Sequence, residues 1–562
     1  MTSEMLARRI SAAQGKMDCD LKIEGVQYLD VFACEWKTGD IAVIDGVIVG
    51  VEPGLRARKT VNGRGKWLVP GFVDAHVHVE SSLLVPSSFQ NSILPKGTTT
   101  AICDPHELAN VLGVPGIQYF LDAAQTLDLD LRVMLSSCVP ATHMETNGGG
   151  EIDAAQLVAL ASHPKALGLA EMMNVPGVLF GDPKILEKLE AFQGRTIDGH
   201  CPLVRGQQLS AYAAAGISSC HESSELEEAR EKLSKGISVW IREGSVAKDL
   251  DALVPLLTLA TSTSLGFCTD DRNPLDIAAE GHIDHLVRTA IKRGVAPEVA
   301  FRASSWSVAR HYSLDRGPAR RGAIAPGYLA DLVLLNDAAS VSIAAVFKSG
   351  RPSEELVANL DPASDTGNTI RAREPEAIDF EGPAGRVHVI GVKHGRILTD
   401  RHVMNHDDHG VARFSVLERY GHGSKPQNAY VFGFGEKFRG AIASSVGHDS
   451  HNLTAVGSST RDMAVATKAL IASGGGFCVV RDGQVLSRLD LPFGGLMSRQ
   501  TPAEIAVQLG ALRQASAQIG CELPEPFLQL AFLSLPVIPS LKLTDKGLVD
   551  VDRFEIISVR AS

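Results

Sequence analysis

From Pro70 onward the chain alternates short apolar runs with longer stretches of helical spacing, and few folds accommodate that rhythm. The apolar runs are GFVDAHVHV, TTTAICD, LRVMLSSCV, ALGLAEMM, TIDGHC, GISSCHE, GISVWIRE and SLGFCTDD. Between them lie segments such as GIQYFLDAAQTL, DPKILEKLEAF and SELEEAREKLSKG, whose apolar residues recur every three or four positions. Eight strands separated by helices within about 250 residues predict a closed (β/α)8 TIM-like barrel over residues 71–319. A doubly wound open sheet is the alternative, but no glycine-rich phosphate turn follows the first strand.

The barrel leaves chain on both sides. Residues 1–20 read as a short amphipathic helical segment. Residues 21–70 alternate like a small sheet, and in GDIAVIDGVIVGVEP two apolar runs flank Asp45-Gly46, a strong hairpin signal. Strand-like pattern returns in RGAIAPGYLADLVLLND and VSIAAVFKSGR, so residues 320–352 are expected to join residues 21–70 in a small flanking β-sandwich built from both ends of the barrel. Residues 353–562 read as a C-terminal α+β domain, with a hairpin turning at Asp482-Gly483 and a helix at PAEIAVQLGALRQASAQIG.

Composition removes several kinds of partner. The formal charge is −11 and no basic tract occurs, which argues against nucleic acid and anionic membrane surfaces. No apolar run reaches the length of a membrane span, and the first residues lack the apolar core of a secretory signal. Nine cysteines without a CxxC spacing argue against a disulfide framework and a structural zinc site, so a cytoplasmic, reduced protein is expected. Cys201 and Cys220 stand beside histidines, and alternation turns them into core packing.

Catalytic side chains of a parallel barrel sit at the C-terminal ends of its strands. Those ends carry His76 and His78 on the first strand, and Asp104, His106 and Glu107 after the second. Glu171 ends the fourth, His200 the fifth, His221 the sixth and Asp270 the eighth. Any one alone would be an ordinary polar residue; their meeting at one rim points to metal. Four histidines and two carboxylates exceed what one ion with an open position takes, whereas two bridged divalent ions use them all. Glu171 is best placed to bridge. His76, His78 and Asp270 would hold one ion, and His200 and His221 the other. The donor set suits manganese, iron or zinc.

HxH on strand one, a carboxylate on strand four, histidines on strands five and six and Asp on strand eight resemble the amidohydrolase superfamily. More narrowly, AHVHVESS, CDPHE, LAEMMNVPGV, DGHCP, CHES, CTDDR and the late SVGHDSHN are similar to the bacterial adenine deaminase family over nearly the whole chain. That resemblance implies a binuclear manganese- or iron(II)-type centre, with zinc the alternative, hydrolysing a small purine base, adenine, to hypoxanthine and ammonia. A homo-oligomer is expected. Asp270 would serve as base, and Glu107, with a raised pKa, as the acid that protonates the ring, beside His106 and Asp104. Asp271 is a candidate to orient a ligand or the substrate, and the late His448, Asp449 and His451 are candidate substrate contacts at the barrel mouth or an accessory metal site. The run with His402, His406 and His409 reads as surface. Rivals are hydrolysis of a cyclic amide or an N-acetyl sugar by the same metals, and a barrel that has become a non-catalytic scaffold. The HxE…PCxxC zinc deaminase pattern and a serine-nucleophile elbow are both missing.

Overall fold

The computed structural model describes residues 2–356 and 366–561. Eight parallel strands form its centre: β1 (Phe72–Val77), β2 (Thr98–Cys103), β3 (Asp130–Leu135), β4 (Ala166–Met172), β5 (Thr196–Gly199), β6 (Ser219–Cys220), β7 (Ser238–Arg242) and β8 (Leu265–Cys268). All eight apolar runs are therefore strands. β1 to β5 make one sheet in chain order and β6 to β8 another. At one seam the Ser218 amide donates to Ile197 O at 2.9 Å. At the other, Asp270 N donates to His76 O at 3.0 Å and His78 N to Asp270 O at 3.2 Å. The strands thus form a curled parallel sheet. Helices Val114–Thr126, Pro183–Ala191 and Leu226–Ser234 fall in the stretches with helical spacing.

Two strands carry an extra residue where it matters. Asp74 pairs with Ala101 and Val77 with Cys103, so β1 advances three residues while β2 advances two. β4 does the same against β5, with Leu169 opposite Ile197 and Met172 opposite Gly199. Ala75 and Ala170 pack with Ile102, Met134, Trp240 and Cys268, a cluster drawn from six strands that fills the inside of the curl. Simple alternation would send the next residue outward. The bulges instead keep His76 and Glu171 on the same side as the alanines before them, while Val77 and Met172 pack outside.

The flanking strands form one sheet of eight. Its path runs Arg351–Pro352, Ser342–Lys348, Leu332–Asp337, Trp67–Pro70, Cys19–Asp30, Glu35–Ile44 and Val47–Gly50, with Ala57–Asn62 also beside Cys19–Asp30. These strands are one hydrogen-bonded sheet, drawn from both flanks as expected, over a core of Ile23, Val26, Ile41, Val43, Leu68, Leu332 and Phe347. The reason is the long strand Cys19–Asp30. It shifts register between Ile23 and Val26, pairing with Ala57–Asn62 before the shift and with Trp67 and Leu68 after it. The hairpin at Asp45-Gly46 is present, with φ of 49° and 73° at its two turn residues. Positive φ at both central positions is the twist-matched turn that Asp-Gly favours.

Residues 386–490 build a second eight-stranded sheet, which ends in the hairpin of Gly476–Arg481 and Gln484–Asp490. Helix Pro502–Gln518 begins with a capping box between Thr501 and Glu504. Residues 357–365, inside the span expected for the C-terminal domain, lie outside the described residues. The core is continuous between the two regions: Leu108, Leu131 and Met172 belong to one apolar cluster with Phe414, Phe477 and Phe527. Buried bonds pin the contact, including Thr544 Oγ1 to Met144 O at 2.6 Å. Among the described residues no helix is long and apolar enough to cross a membrane.

Candidate metal centre

The six proposed ligands meet. Glu171 lies among four imidazoles, with Oε1 3.6 Å from His76 Nε2 and 3.3 Å from His78 Nε2. Its Oε2 is 2.7 Å from His200 Nδ1 and 3.2 Å from His221 Nε2. One oxygen therefore serves the β1 pair and the other the β5–β6 pair. Asp270 Oδ1 completes the first group at 3.5 Å from His76 and 3.2 Å from His78. All six residues are buried. His76, His78 and Asp270 offer ligand atoms within 4.8 Å of one another, and so do His76, Glu171 and His221. Two sets of buried imidazole and carboxylate donors sharing an oxygenated bridge fit a pair of divalent cations.

Neighbouring groups orient the ligands. His78 Nδ1 meets the Asp104 carbonyl at 3.0 Å, which places its proton there and frees Nε2 for the centre. His76 stacks on His221 with ring centroids 4.0 Å apart. Burial raises the cost of charge on Glu171, but His221, His76 and His200 hold its carboxyl well below the usual range. Burial and then His221 push His76 down to about 4, so it is a neutral donor.

Asp104, His106 and Glu107 sit beside the centre with different partners. Asp104 accepts from Ser136 Oγ at 2.7 Å and faces His106 Nδ1 at 3.0 Å. His106 Nδ1 is also 3.4 Å from Glu171 Oε1, and its Nε2 is 3.4 Å from Glu107 Oε1. The late motif reaches the same place: His448 Nδ1 lies against Glu107 Oε1 and His451 Nε2 against Glu107 Oε2. Asp449 Oδ1 stands 3.7 Å from His106 Nε2. Asp271 Oδ1 accepts from Ser81 Oγ and is 3.9 Å from His448 Nε2. His106, Glu107, Asp271, His448 and Asp449 line a cavity of about 30 Å³, with Ile397, Phe532, Leu535 and Ile538 on its apolar wall.

Residues 67–352 match the amidohydrolase family model, and residues 392–555 match the model of the adenine deaminase C-terminal domain. The chain is 48% identical to an adenine deaminase of Sinorhizobium fredii, over 99% of this chain and all of the relative. It is 49% identical to one of Methylobacterium nodulans, over 98% and 99% of the two chains. An adenine deaminase 1 of Rhizobium meliloti is 46% identical over 99% of this chain and all of its own. This chain belongs to the adenine deaminase family.

For this family member one expectation needs correcting. Glu107 was expected to carry a raised pKa as a neutral acid. Burial does act in that direction, but His448, His451 and His106 outweigh it and hold the carboxyl well below its usual range. A carboxylate flanked by three imidazoles keeps its charge.

Two residues escaped the strand-end reading. Glu222 follows His221 and lies 3.8 Å from its Nε2. Arg242 ends β7, where its Nη1 donates to Asp270 Oδ2 at 2.9 Å and its Nη2 to Glu222 Oε2 at 3.0 Å. The signal was available, since both stand at strand ends; an arginine, however, is not a metal ligand and was passed over. Cys201 and Cys220 are buried in the outer packing as expected, with Sγ atoms 3.6 Å apart. His402 and His409 are exposed.

Proposed function

We propose that the eight parallel strands close into a single (β/α)8 barrel over residues 71–319, flanked by the small sheet and the C-terminal domain, and that its rim hydrolyses adenine to hypoxanthine and ammonia. The seam bonds at Ser218 and Asp270 support closure. The names of the relatives and the donor set support the reaction. One observation carries the reading most: Glu171 divides its two oxygens between two pairs of buried imidazoles.

His76, His78 and Asp270 would hold one cation and His200 and His221 the second, with Glu171 shared. Manganese or iron(II) suits this thiolate-free set, with zinc the alternative. When bound, such a pair supplies a water-derived nucleophile at neutral pH. Asp270 is placed to take the proton that water loses: Oδ1 faces the β1 imidazoles while Arg242 grips Oδ2. The same carboxyl can then hand that proton to the departing amine. Ile397, Phe532, Leu535 and Ile538 offer an apolar cover for a planar base and exclude bulk water. A larger cavity shares Glu222, Arg242, Ile397 and Ile538 with the site and supplies an approach from the side of Lys248 and Arg396.

The test is ammonia release from adenine by metal-free protein supplied with iron(II), manganese or zinc, beside a panel of cyclic amides and N-acetyl sugars. Turnover of a cyclic amide or acetyl sugar, with none of adenine, would remove the deaminase reading.

A further inference from the structure

The expected acid, Glu107, is held as an anion, which turns attention to the imidazoles beside it as the source of the ring proton. His448 is a ring in the right place. It is buried, stacks on Phe532 with centroids 4.6 Å apart, and lines the catalytic cavity. Its Nδ1 lies against Glu107 Oε1. Its Nε2 has no hydrogen-bond partner and meets Asp271 only at 3.9 Å, so it is an unused buried donor beside the cavity.

The other imidazole on Glu107 fixes the arrangement. His451 Nδ1 accepts from the Gly447 amide at 3.2 Å, so the proton of the neutral ring sits on Nε2, the nitrogen that lies against Glu107 Oε2. The groups that face His448 are Glu107, Asp271 and Asp449, with His451 and His106 on the far side of Glu107. Burial works against charge on the ring, but the three carboxylates raise its pKa to about 9.

We propose that His448, oriented by Glu107, is the general acid that protonates ring N1 of adenine as oxygen adds to C6. This rests on the deaminase reading of the site. As the C6–O bond forms, the C6–N1 π pair moves onto N1 and takes the Nε2 proton. The C6–N bond to the amine then breaks, and ammonia leaves with the proton held by Asp270. The hydroxyl proton released as C6 becomes a carbonyl returns to His448, and hypoxanthine keeps the proton on N1. Glu107 and His451 are positioning residues: one holds the donor and the other holds the carboxylate. The C-terminal region thereby contributes a reacting group to chemistry whose candidate metal ligands all lie at the C-terminal ends of the parallel strands.

The experiment compares wild-type holoenzyme with His448→Gln and His448→Gly for bound metal, kcat, KM and pH profile. His448→Gln is expected to keep two metals per chain and a KM near wild type, while kcat falls about 10²–10⁴-fold. Its kcat should no longer decline as pH rises through the range where the imidazolium is lost. Added imidazole should restore part of the His448→Gly rate in proportion to its cationic form. A His448→Gln enzyme within about tenfold of wild type would overturn the assignment, as would parallel loss of metal and activity with no rescue by imidazole. If wild type itself releases no ammonia from adenine, the deaminase reading has failed; wild-type turnover with an undiminished variant sinks His448 alone.

Discussion

Arg242→Met is the most informative perturbation of the scaffold around the centre. The side chain is 3% exposed, and its guanidinium binds Asp249 at 3.0 Å, Asp270 at 2.9 Å and Glu222 at 3.0 Å. Methionine keeps much of the apolar stem and removes the charge, leaving three buried carboxylates facing one another. Three charge-assisted bonds at about 1.5–3 kcal/mol each set a ceiling, but bonds that share one guanidinium do not add. Breaking a buried ion cluster by removing one partner costs about 3–5 kcal/mol, which is the loss expected in metal-depleted protein. Urea unfolding followed by tryptophan fluorescence is the assay. All four tryptophans, Trp36, Trp67, Trp240 and Trp306, precede the C-terminal region, so the signal reports the parallel strands and small sheet. The pH dependence has a definite sign. In wild type Arg242 leads the groups that hold Glu222 below its usual range, against burial. That contribution is full above the unfolded carboxylate pKa and is lost as pH falls through the folded one. In the variant only His200 and His221 oppose burial, the folded pKa of Glu222 rises, and the penalty shrinks on acidification. A loss below about 1 kcal/mol near neutrality, or one that does not narrow toward pH 4–5, would refute this account.

Glu171→Gln should bind at most one metal per chain and lose nearly all turnover; full metal content with activity would remove the bridging role. Glu107→Gln should lower turnover by at least about 100-fold while both metals remain, because a neutral amide no longer orients an imidazolium. Lys542 is buried, donates to Ile397 O and Phe532 O at 2.9 Å each, and is pushed down to about 7 by burial. Between pH 7 and its unfolded value of 10.5 the unfolded chain binds more protons, so stability should climb with pH. That climb, read from thermal midpoints, should flatten in Lys542→Met. His402→Ala and His409→Ala, on exposed positions, should leave turnover and metal content at wild-type levels.

The parallel strands were legible because each is a short apolar run bounded by turn residues and separated by helical spacing. The cluster of candidate ligands was legible because metal-binding side chain types recur at strand ends. The bulges in β1 and β4 were not: an extra residue leaves no mark in a run buried on both faces, yet it keeps His76 and Glu171 on the inside. Glu222 and Arg242 stood in view at strand ends, but their value lies in a charge network that only three-dimensional proximity reveals. The loop with His448 and His451 carried a polar signature that pointed to the substrate side of the barrel but not to a particular partner. Its destination beside Glu107 is a contact between distant parts of the chain, fixed by packing of Phe532 and neighbouring apolar residues that look like ordinary core. The same limit explains the small sheet, where both flanks were recognised but the register shift in Cys19–Asp30 that lets two strands pair along its one edge was not.

That sheet also imposes an order on synthesis. Trp67–Pro70 must wait for Leu332–Asp337 to cover its free side. The intervening stretch of about 260 residues takes on the order of 15–50 s to emerge at 5–20 residues per second. Throughout that interval an apolar edge made early stays uncapped on the ribosome-bound chain, open to pairing with a neighbouring nascent copy. Slower induction or a chaperone that shields this edge should therefore improve yield more than any change to the catalytic rim.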